Sequence, residues 1–325
     1  MGRTNVAIIG GGLIGQKRAA ALKLIPDFCL ISIFDGNQEQ AKKFAERFSC
    51  KQAKNFNGII KDKQINLVIL AISHKDAAEL APKILKEKDL LIEKPLGRNL
   101  KEARIIVNAA RRNNHKLFVG FNFRFYPHIQ EARKYLEKEK LGKIISSTFK
   151  IGHAASSGYE KTWKLDKELC GGGIILDPGV HMIDLMENFF GEPESWTVKT
   201  NKLGWKSEVE DEAFIIFEYK SNHISLHHYS LNLSQNTFFI EIVGTDGVIR
   251  IGGRGGNYGD MTFSYAPRWF WKTGKKIEEK NFGKEDNSFR EELEFIDMEL
   301  KISGLRSYSS YLSSMKILSK IYKNL

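Results

Sequence analysis

The sequence VAIIGGGLIG occupies residues 6–15 and decides the fold of the first third of the chain. Four apolar residues with the pattern of a buried strand lead directly into GxGxxG. Such glycines permit a tight turn, let the backbone approach a pyrophosphate and let helix and strand pack closely. The helix that follows presents its N-terminal amides to the anion. The predicted cofactor loop consists of Gly10, Gly12, Leu13, Ile14 and Gly15.

Asp35 strengthens the prediction of a dinucleotide site, because GxGxxG alone is a weak signal. It ends the second predicted strand, where a carboxylate can accept hydrogen bonds from both ribose hydroxyls of a dinucleotide. The alternative is a glycine turn and an unrelated loop aspartate. Gly36 stands where enzymes specific for NADP often carry arginine, and a carboxylate repels a 2′-phosphate. The pair therefore predicts NAD as the cofactor, in preference to NADP.

The first 121 residues alternate short apolar runs with helical patterns, which predicts an α/β Rossmann domain with a doubly wound parallel sheet. The predicted strands are residues 6–9, 29–34, 67–71, 90–92 and 117–121, and the predicted helices are residues 37–48, 76–88 and 100–114. Beyond residue 121 the runs lengthen and alternate, which indicates antiparallel sheet. We therefore predict two domains, residues 1–121 for NAD and residues 122–325 for substrate binding and oligomerisation.

Longer alternating runs and a few helices make up the second predicted domain. Its predicted strands are residues 144–153, 196–200, 212–219, 223–231, 238–243 and 248–251, and its predicted helices are residues 128–139 and 180–190. Two amphipathic helices end the chain. His223 and His227 can share a strand face, but no acidic or cysteine partner has evident spacing, so we predict no metal site.

The composition limits the class of protein. A net charge of +11 is compatible with nucleic acid, an anionic membrane or a negatively charged substrate. Lysines lie beside acids on helical stretches and no nucleic-acid motif accompanies them, so a phosphate-bearing substrate is the better interpretation. Three cysteines without a CxxC pair predict neither a disulfide framework nor a zinc site. No signal peptide or membrane-spanning run is evident, so we expect a cytoplasmic protein.

Two further segments carry residue types suited to chemistry. Lys94, within Glu93-Lys94-Pro95, follows a predicted strand at the sheet edge where open α/β sheets bind ligands, although any single lysine can be a surface residue in a turn. In the segment GGGIILDPGVHMID, residues 171–184, Asp177 is the predicted helix N-cap and His181 lies four residues on, on the same face. A carboxylate beside an imidazole suits a general base, but a cap and a core histidine explain the pair equally well.

Taken together, these segments resemble the Gfo/Idh/MocA oxidoreductases, a superfamily that includes glucose-fructose oxidoreductase and inositol dehydrogenase. The resemblance rests on the glycine turn, Asp35, residues 93–95, GFNFRFYP at residues 120–127 and residues 171–184. It implies a Rossmann domain followed by an α+β domain with a large open-faced, predominantly antiparallel sheet. It also implies assembly into homodimers or homotetramers.

The resemblance also assigns site residues. Besides the glycine loop and Asp35, the cofactor residues are Ser73, His74, Glu93, Lys94 and Asn122. The substrate residues are Lys94, Arg124, Trp163, Asp177 and His181. One stretch departs from the superfamily pattern, since relatives usually carry Thr-Pro after the fourth strand and a histidine four residues beyond it. Here Ile72-Ser73 and Ala77 stand at those positions.

The implied activity is hydride transfer between nicotinamide and a ring hydroxyl or ketone of a sugar, nucleotide sugar or cyclitol. Lys94, Asp177 and His181 are the implied catalytic residues: His181 exchanges the hydroxyl proton, Asp177 positions it and Lys94 polarises the oxygen. Two alternatives are a non-catalytic NAD-binding regulator and a reductase of a non-sugar substrate such as a dihydrodiol. The complete set of three residues favours a polyol enzyme over both.

Overall fold

Two compact units make up the protein. The computed structural model describes residues 3–305, 307–323 and 325. Unit 1 consists of Met1–Asn122, Glu168–Gly171 and Phe289–Lys316, and unit 2 consists of Phe123–Lys167, Gly172–Ser288 and Ile317–Leu325. The division at residue 121 stays a prediction for the functional domains. No helix in the described ranges has the length and apolar character needed to cross a membrane.

Unit 1 contains a fully parallel six-stranded sheet. Its strands are Thr4–Ile9 (β1), Phe28–Phe34 (β2), Lys51–Gln52 (β3), Leu67–Leu70 (β4), Asp89–Glu93 (β5) and Leu117–Gly120 (β6). The helices between them are Leu13–Leu22 (α1), Gln38–Phe48 (α2), Phe56–Ile60 (α3), His74–Ile84 (α4) and Leu100–Asn113 (α5). The strand order β3-β2-β1-β4-β5-β6 is that of a doubly wound dinucleotide-binding fold, which confirms the prediction.

Unit 2 is built around an eight-stranded sheet. Its strands are Ile144–Gly152 (β7), Ser195–Asn201 (β8), Glu212–Glu218 (β9), Ile224–Ser230 (β10), Thr237–Gly244 (β11), Gly247–Gly252 (β12), Thr262–Pro267 (β13) and Glu278–Asn281 (β14). The remaining helices of the chain are Pro127–Glu137 (α6), Lys167–Cys170 (α7), Gly179–Phe190 (α8), Phe270–Thr273 (α9), Ser288–Lys301 (α10) and Ser309–Lys323 (α11). The order is β14-β13-β12-β11-β7-β10-β9-β8, and every pair is antiparallel except β7 with β10. The predicted, predominantly antiparallel sheet is therefore confirmed.

The core of unit 1 includes a helix from the far end of the sequence. Phe289, Leu293 and Ile296 of α10 are buried in one apolar cluster with Ile8 of β1 and Leu91 of β5. These three residues recur at the helical spacing that places them on one face of α10. Burial of that face joins α10 to the Rossmann sheet.

The sheet of unit 2 has one buried and one exposed face. Along β9, Ala213, Ile215 and Phe217 are buried while Phe214 and Ile216 between them are exposed. Side chains alternate across a strand, so one set of residues faces the core and the other faces solvent. The open-faced character expected of this sheet follows from that alternation.

His227 of β10 and His223, directly before that strand, belong to a buried chain of hydrogen bonds. Ser147 Oγ lies 2.9 Å from His223 Nε2 and donates to Ser225 Oγ at 2.8 Å. Ser225 Oγ in turn lies 2.9 Å from His227 Nε2, whose Nδ1 lies 2.5 Å from the Tyr229 hydroxyl. Burial lowers the pKa of His223 to about 4 and that of His227 well below its ordinary value. Hydroxyl partners thus occupy three of the four imidazole nitrogens.

Candidate active site

The glycine turn after β1 has the geometry of a phosphate cradle. Gly10 has φ +102°, and a Cβ there would lie 2.2 Å from the carbonyl oxygen of Ala71. A Cβ at Gly15 would lie 1.9 Å from the Gly10 oxygen, so strand and helix approach as closely as their backbones allow. Around Gly12, by contrast, a Cβ would meet nothing within 4 Å, and α1 begins at the next residue, Leu13. Open space before a helix N-terminus fits the pyrophosphate of a dinucleotide.

Asp35, at the end of β2, is held beside this turn. Its Oδ2 accepts hydrogen bonds from the Gly11 amide at 2.7 Å and from Gln40 Nε2 at 3.0 Å, and its Oδ1 accepts one from the Asn37 amide at 2.8 Å. These donors fix the carboxylate next to the glycine turn. The turn and Asp35 together fit the predicted dinucleotide. Individual cofactor contacts remain predictions.

Lys94 follows a strand end that a buried ion pair anchors. Glu93 ends β5, and its Oε1 accepts a hydrogen bond from Arg18 Nε at 2.7 Å. Arg18 is fully buried on α1, and its Nη1 donates to Glu292 Oε2 of α10 at 2.5 Å. A Cβ at Gly120 would lie 2.7 Å from both Arg18 Nη2 and Glu93 Oε2, so glycine leaves room for the pair. The Glu93 carboxylate is therefore engaged inside unit 1.

The segment that departs from the superfamily pattern caps a helix. Ser73 is the N-cap of α4, and its hydroxyl donates to Asp76 Oδ2 at 2.6 Å. His74 is buried, with Nδ1 2.8 Å from the carbonyl oxygen of Cys170. Asn122 is also buried, directly after β6 and Phe121. Cofactor binding by Ser73, His74 and Asn122 stays a prediction.

Helix α8 begins two residues later than Asp177. Its first residue is Gly179 and Pro178 occupies the cap position, so the prediction that Asp177 caps the helix is wrong. The physical reason is a turn before the helix, in which the Asp177 amide donates to the Gly173 carbonyl at 2.9 Å. Asp177 therefore precedes the helical repeat, and the four-residue spacing to His181 does not put the two side chains on one helical face.

The carboxylate of Asp177 lies beside an ammonium group instead. Its Oδ2 is 3.1 Å from Lys164 Nζ, and this proximity to Asp177 raises the pKa of Lys164. Lys164 belongs to the 3-10 turn Trp163–Leu165, which also carries the predicted substrate residue Trp163. Lys164 could not be selected from the sequence alone, because it is one lysine among many and its partner lies thirteen residues away.

His181 is buried in the first turn of α8, with 3% of its surface exposed. Its amide donates to the Pro178 carbonyl at 3.0 Å. Its ring stacks on Phe123, with ring centroids 3.7 Å apart and planes 4° from parallel. Phe123 lies in GFNFRFYP, so two segments that carried the resemblance meet inside unit 2. Stacking fixes the plane of the imidazole, which a positioned general base requires.

Arg124 is held by a buried carboxylate one turn farther along α8. Its Nε donates to Asp184 Oδ2 at 2.7 Å, and its Nη2 donates to Asp184 Oδ1. Burial raises the pKa of Asp184, while Arg124 acts in the opposite direction. A two-bond pair of this kind holds the guanidinium in one orientation. The substrate role of Arg124 stays a prediction.

A second arginine lies near this site, and sequence reasoning did not select it. Arg254 belongs to the short glycine-rich loop GGRGGNYG, residues 252–259. Its guanidinium lies 5.4 Å from the ring centroid of Phe123, the residue that stacks on His181. Burial lowers the pKa of His153, with Lys164 and Arg254 acting in the same direction and Asp177 against them. Unit 2 therefore places Asp177 and two basic groups, Lys164 and Arg254, around His153.

Two family models match the chain. One, described as an oxidoreductase family with an NAD-binding Rossmann fold, matches residues 4–121, and the other, described as the GFO/IDH/MocA C-terminal domain, matches residues 129–250. The chain resembles levoglucosan dehydrogenase of Pseudarthrobacter phenanthrenivorans, with 29% identity over 59% of this chain and 52% of that protein. It resembles glucose-6-phosphate 3-dehydrogenase of Bacillus subtilis, with 30% identity over 57% and 53%.

These alignments span about half the length of both relatives. A solved structure of levoglucosan dehydrogenase in complex with NADH superposes with a TM-score of 0.86 at 21% identity, covering 98% of this chain and 96% of that one. At that identity the likeness shows the fold. Since the two models match both halves of the chain and the parallel and mixed sheets follow in the corresponding order, the protein is a member of the Gfo/Idh/MocA family.

Proposed function

We propose that the protein is an NAD-dependent oxidoreductase that transfers a hydride between nicotinamide and a ring hydroxyl or ketone of a sugar, nucleotide sugar or cyclitol. The observation that carries the proposal is the buried His181, whose ring stacks on Phe123, in a chain with an NAD-binding Rossmann fold. The names of the sugar dehydrogenases among its relatives support the same class of substrate.

Different residues of this chain have different roles in the proposed reaction. When bound, NAD⁺ supplies the acceptor for the hydride that leaves the carbinol carbon. The glycine turn and Asp35 hold the pyrophosphate and ribose. His181 takes the hydroxyl proton as the carbon–oxygen double bond forms, and it returns a proton in the reverse direction. Lys94 donates a hydrogen bond to the substrate oxygen.

Asp177 and its neighbours complete the proposed substrate site. We propose that Asp177, whose carboxylate pairs with Lys164 at 3.1 Å, positions His181 for the proton exchange. We propose that Arg124 and Trp163 contact the sugar. Asp184 positions Arg124 through two hydrogen bonds, so this guanidinium presents a fixed set of donors.

The test of the proposal is a screen of sugars, cyclitols and nucleotide sugars for NADH formation, monitored by absorbance. Turnover of a member of these classes supports the proposal. Binding of NAD without turnover of any polyol would instead favour the regulator, and turnover of dihydrodiols alone would favour the non-sugar reductase.

The cofactor preference gives a separate prediction. Asp35 should favour NAD, because a carboxylate repels the 2′-phosphate of NADP. A Cβ at Gly36 meets nothing within 4 Å, so arginine fits there. The double variant Asp35→Ser, Gly36→Arg should shift the ratio of the two dissociation constants toward NADP by about one to two orders of magnitude. Fluorescence titration measures both constants, and tighter binding of NADP by the unmodified protein would contradict the assignment.

The assembly gives another prediction. Phe214 and Ile216 of β9 and Ile224 and Leu226 of β10 are exposed on one face of the sheet, and Leu226 pairs directly with Ile216. Exposed apolar surface of this kind favours association. We propose a homodimer or homotetramer that covers this face. Light scattering at micromolar concentration should report a multiple of 37.1 kDa, and Leu226→Glu should lower it. A monomeric unmodified protein would contradict the proposal.

A further inference from the structure

We propose that the substrate carries a negatively charged group, either a phosphate ester or a carboxylate, and that Arg254 binds it. The inference rests on the proposed function, since it names the class of sugar that the site around Asp177 and His181 accepts. It comes from the contacts of Arg254 within unit 2.

The backbone of the glycine-rich loop fixes the location of Arg254. Gly253 and Gly255, on either side of it, have φ +68° and +79°. A Cβ at Gly253 would lie 2.0 Å from the Asp260 carbonyl oxygen, and one at Gly255 would lie 2.5 Å from that of Lys284. The Gly253 carbonyl oxygen also lies 2.9 Å from His128 Nε2. Glycine is required at both flanking positions, so the arginine stands on a tightly packed loop.

Aromatic groups surround the Arg254 guanidinium. It lies 3.7 Å from the ring centroid of Tyr258 and 5.4 Å from that of Phe123. It also interacts electrostatically with Tyr126, whose pKa burial raises to about 12. The Tyr126 phenol is therefore neutral at physiological pH. None of these three neighbours supplies a negative charge to balance the arginine.

One buried donor in this cluster lacks an acceptor. Within the described parts of the chain, Arg254 Nε is buried and makes no hydrogen bond. Other side-chain hydrogen bonds join the guanidinium to the Tyr258 and Tyr126 hydroxyls, and Tyr126 also interacts with Ser288. A buried charged donor without an acceptor is costly, and a bound anionic oxygen would accept this hydrogen bond and balance the charge.

No carboxylate forms an ion pair with Arg254 in the described parts of the chain. Asp286, which acts on the neighbouring Tyr126, accepts a hydrogen bond from Ser288 Oγ at 2.5 Å. Lys164 and Asp177 form a pair at 3.1 Å, so their charges largely offset each other.

Burial is the main cause that lowers the pKa of His153, which also interacts electrostatically with Lys164, Arg254 and Asp177. Its Nδ1 accepts a hydrogen bond from the Ala155 amide at 2.9 Å, which leaves Nε2 as a donor. The cluster thus offers a guanidinium that no carboxylate of the described residues pairs with, and a further N–H near Asp177.

Phosphate and carboxylate are the biological groups that match this arrangement. A guanidinium binds them through parallel N–H donors, and such charge-assisted bonds are stronger than neutral ones. A neutral sugar would bring only hydroxyl groups, which leave the arginine charge unbalanced. The site should therefore prefer sugars that carry an anionic group over their uncharged parents.

Initial rates of NADH formation test this preference. The substrates are matched sets of a neutral hexose, its 6-phosphate and its uronate, together with myo-inositol and an inositol monophosphate. We expect kcat/KM for the phosphates or for the uronates to exceed that for the neutral parents at least tenfold. Arg254→Gln should lower this anionic-to-neutral ratio by about 10- to 100-fold, mainly through KM. Arg254→Lys, which keeps the charge, should lower the ratio less.

Arg250→Gln is the matched control, because it removes the same charge from the exposed surface of β12. Arg250 Nε donates to Glu241 at 2.6 Å, and 62% of its side chain is exposed. The control should retain the wild-type ratio. Circular dichroism and the midpoint of thermal unfolding identify any Arg254→Gln protein that fails to fold, and Arg254→Lys then carries the comparison.

Binding of inorganic phosphate to the NADH-saturated protein, measured by calorimetry, separates this inference from the proposed function. Phosphate binding that Arg254→Gln weakens at least tenfold and Arg250→Gln leaves intact supports the inference, even if no sugar is turned over. Equal phosphate binding by both variants overturns it. Rapid oxidation of neutral sugars, with a ratio that Arg254→Gln does not change, overturns it as well and leaves the proposed function standing.

Discussion

His181→Ala should lower kcat for the sugar oxidation by about two to four orders of magnitude, which is the usual contribution of a positioned general base with its supporting contacts. Its affinity for NAD should stay near that of the unmodified protein. The reason is location, since His181 lies in unit 2 while the glycine turn and Asp35 lie in unit 1. Single-turnover kinetics and fluorescence titration measure the two quantities separately.

The pH dependence provides a check that packing alone would not alter. A general base must be unprotonated to act, so the rate of oxidation should rise with pH along one limb of the profile. That limb should disappear in His181→Ala. Lys94→Ala should instead reduce both turnover and NAD affinity, because we assign it contacts to substrate and cofactor. Near wild-type turnover in His181→Ala would return this residue to the role of a packed core histidine.

Removing the ring of Phe123 tests the orientation of His181 separately from its role as a base. Its parallel stacking fixes the plane of the His181 imidazole, so Phe123 is a positioning residue. Loss of that ring should lower kcat less than loss of the histidine and leave the pH limb in place. This order of effects follows because the base is still present, but in a wider range of orientations.

The local sequence predicted unit 1 more completely than unit 2. Apolar runs and glycines identified five of the six parallel strands, because buried parallel strands are continuous apolar segments. The two-residue β3 and the polar β14, Glu278–Asn281, lack that signal. The parallel pairing of β7 with β10 joins residues far apart in sequence, which no local pattern encodes.

The residue types of the candidate site were predictable from the sequence, but their contacts were not. Asp177 and His181 stood out through residue type and spacing, but the turn before α8 invalidated the capping geometry that the spacing suggested. Lys164 and Arg254 belong to a turn and a loop whose partners come from other segments. Their importance depends on tertiary contacts, so single-sequence reasoning had no means of selecting them.

Arg18→Met should lower the free energy of unfolding by about 3–5 kcal/mol, since it leaves buried carboxylates without their counter-charge. Arg18 is fully buried, with Glu93 at 2.7 Å and Glu292 at 2.5 Å. No comparable loss is expected for Arg133→Met on α6, where the partner Glu137 is exposed and such pairs contribute about 0–1 kcal/mol. Urea denaturation monitored by circular dichroism measures both variants.

Removing the two carboxylates tests the cause of that loss. Adding Glu93→Gln and Glu292→Gln to Arg18→Met should recover a large part of the lost stability, because a neutral buried cluster no longer holds uncompensated charge. If Arg18→Met instead unfolds at the same urea concentration as Arg133→Met, the buried pair does not stabilise unit 1. The triple variant restores charge balance but not the contact at the end of β5. If it regains stability and still binds NAD more weakly than the unmodified protein, Glu93, directly before Lys94, also helps position the lysine.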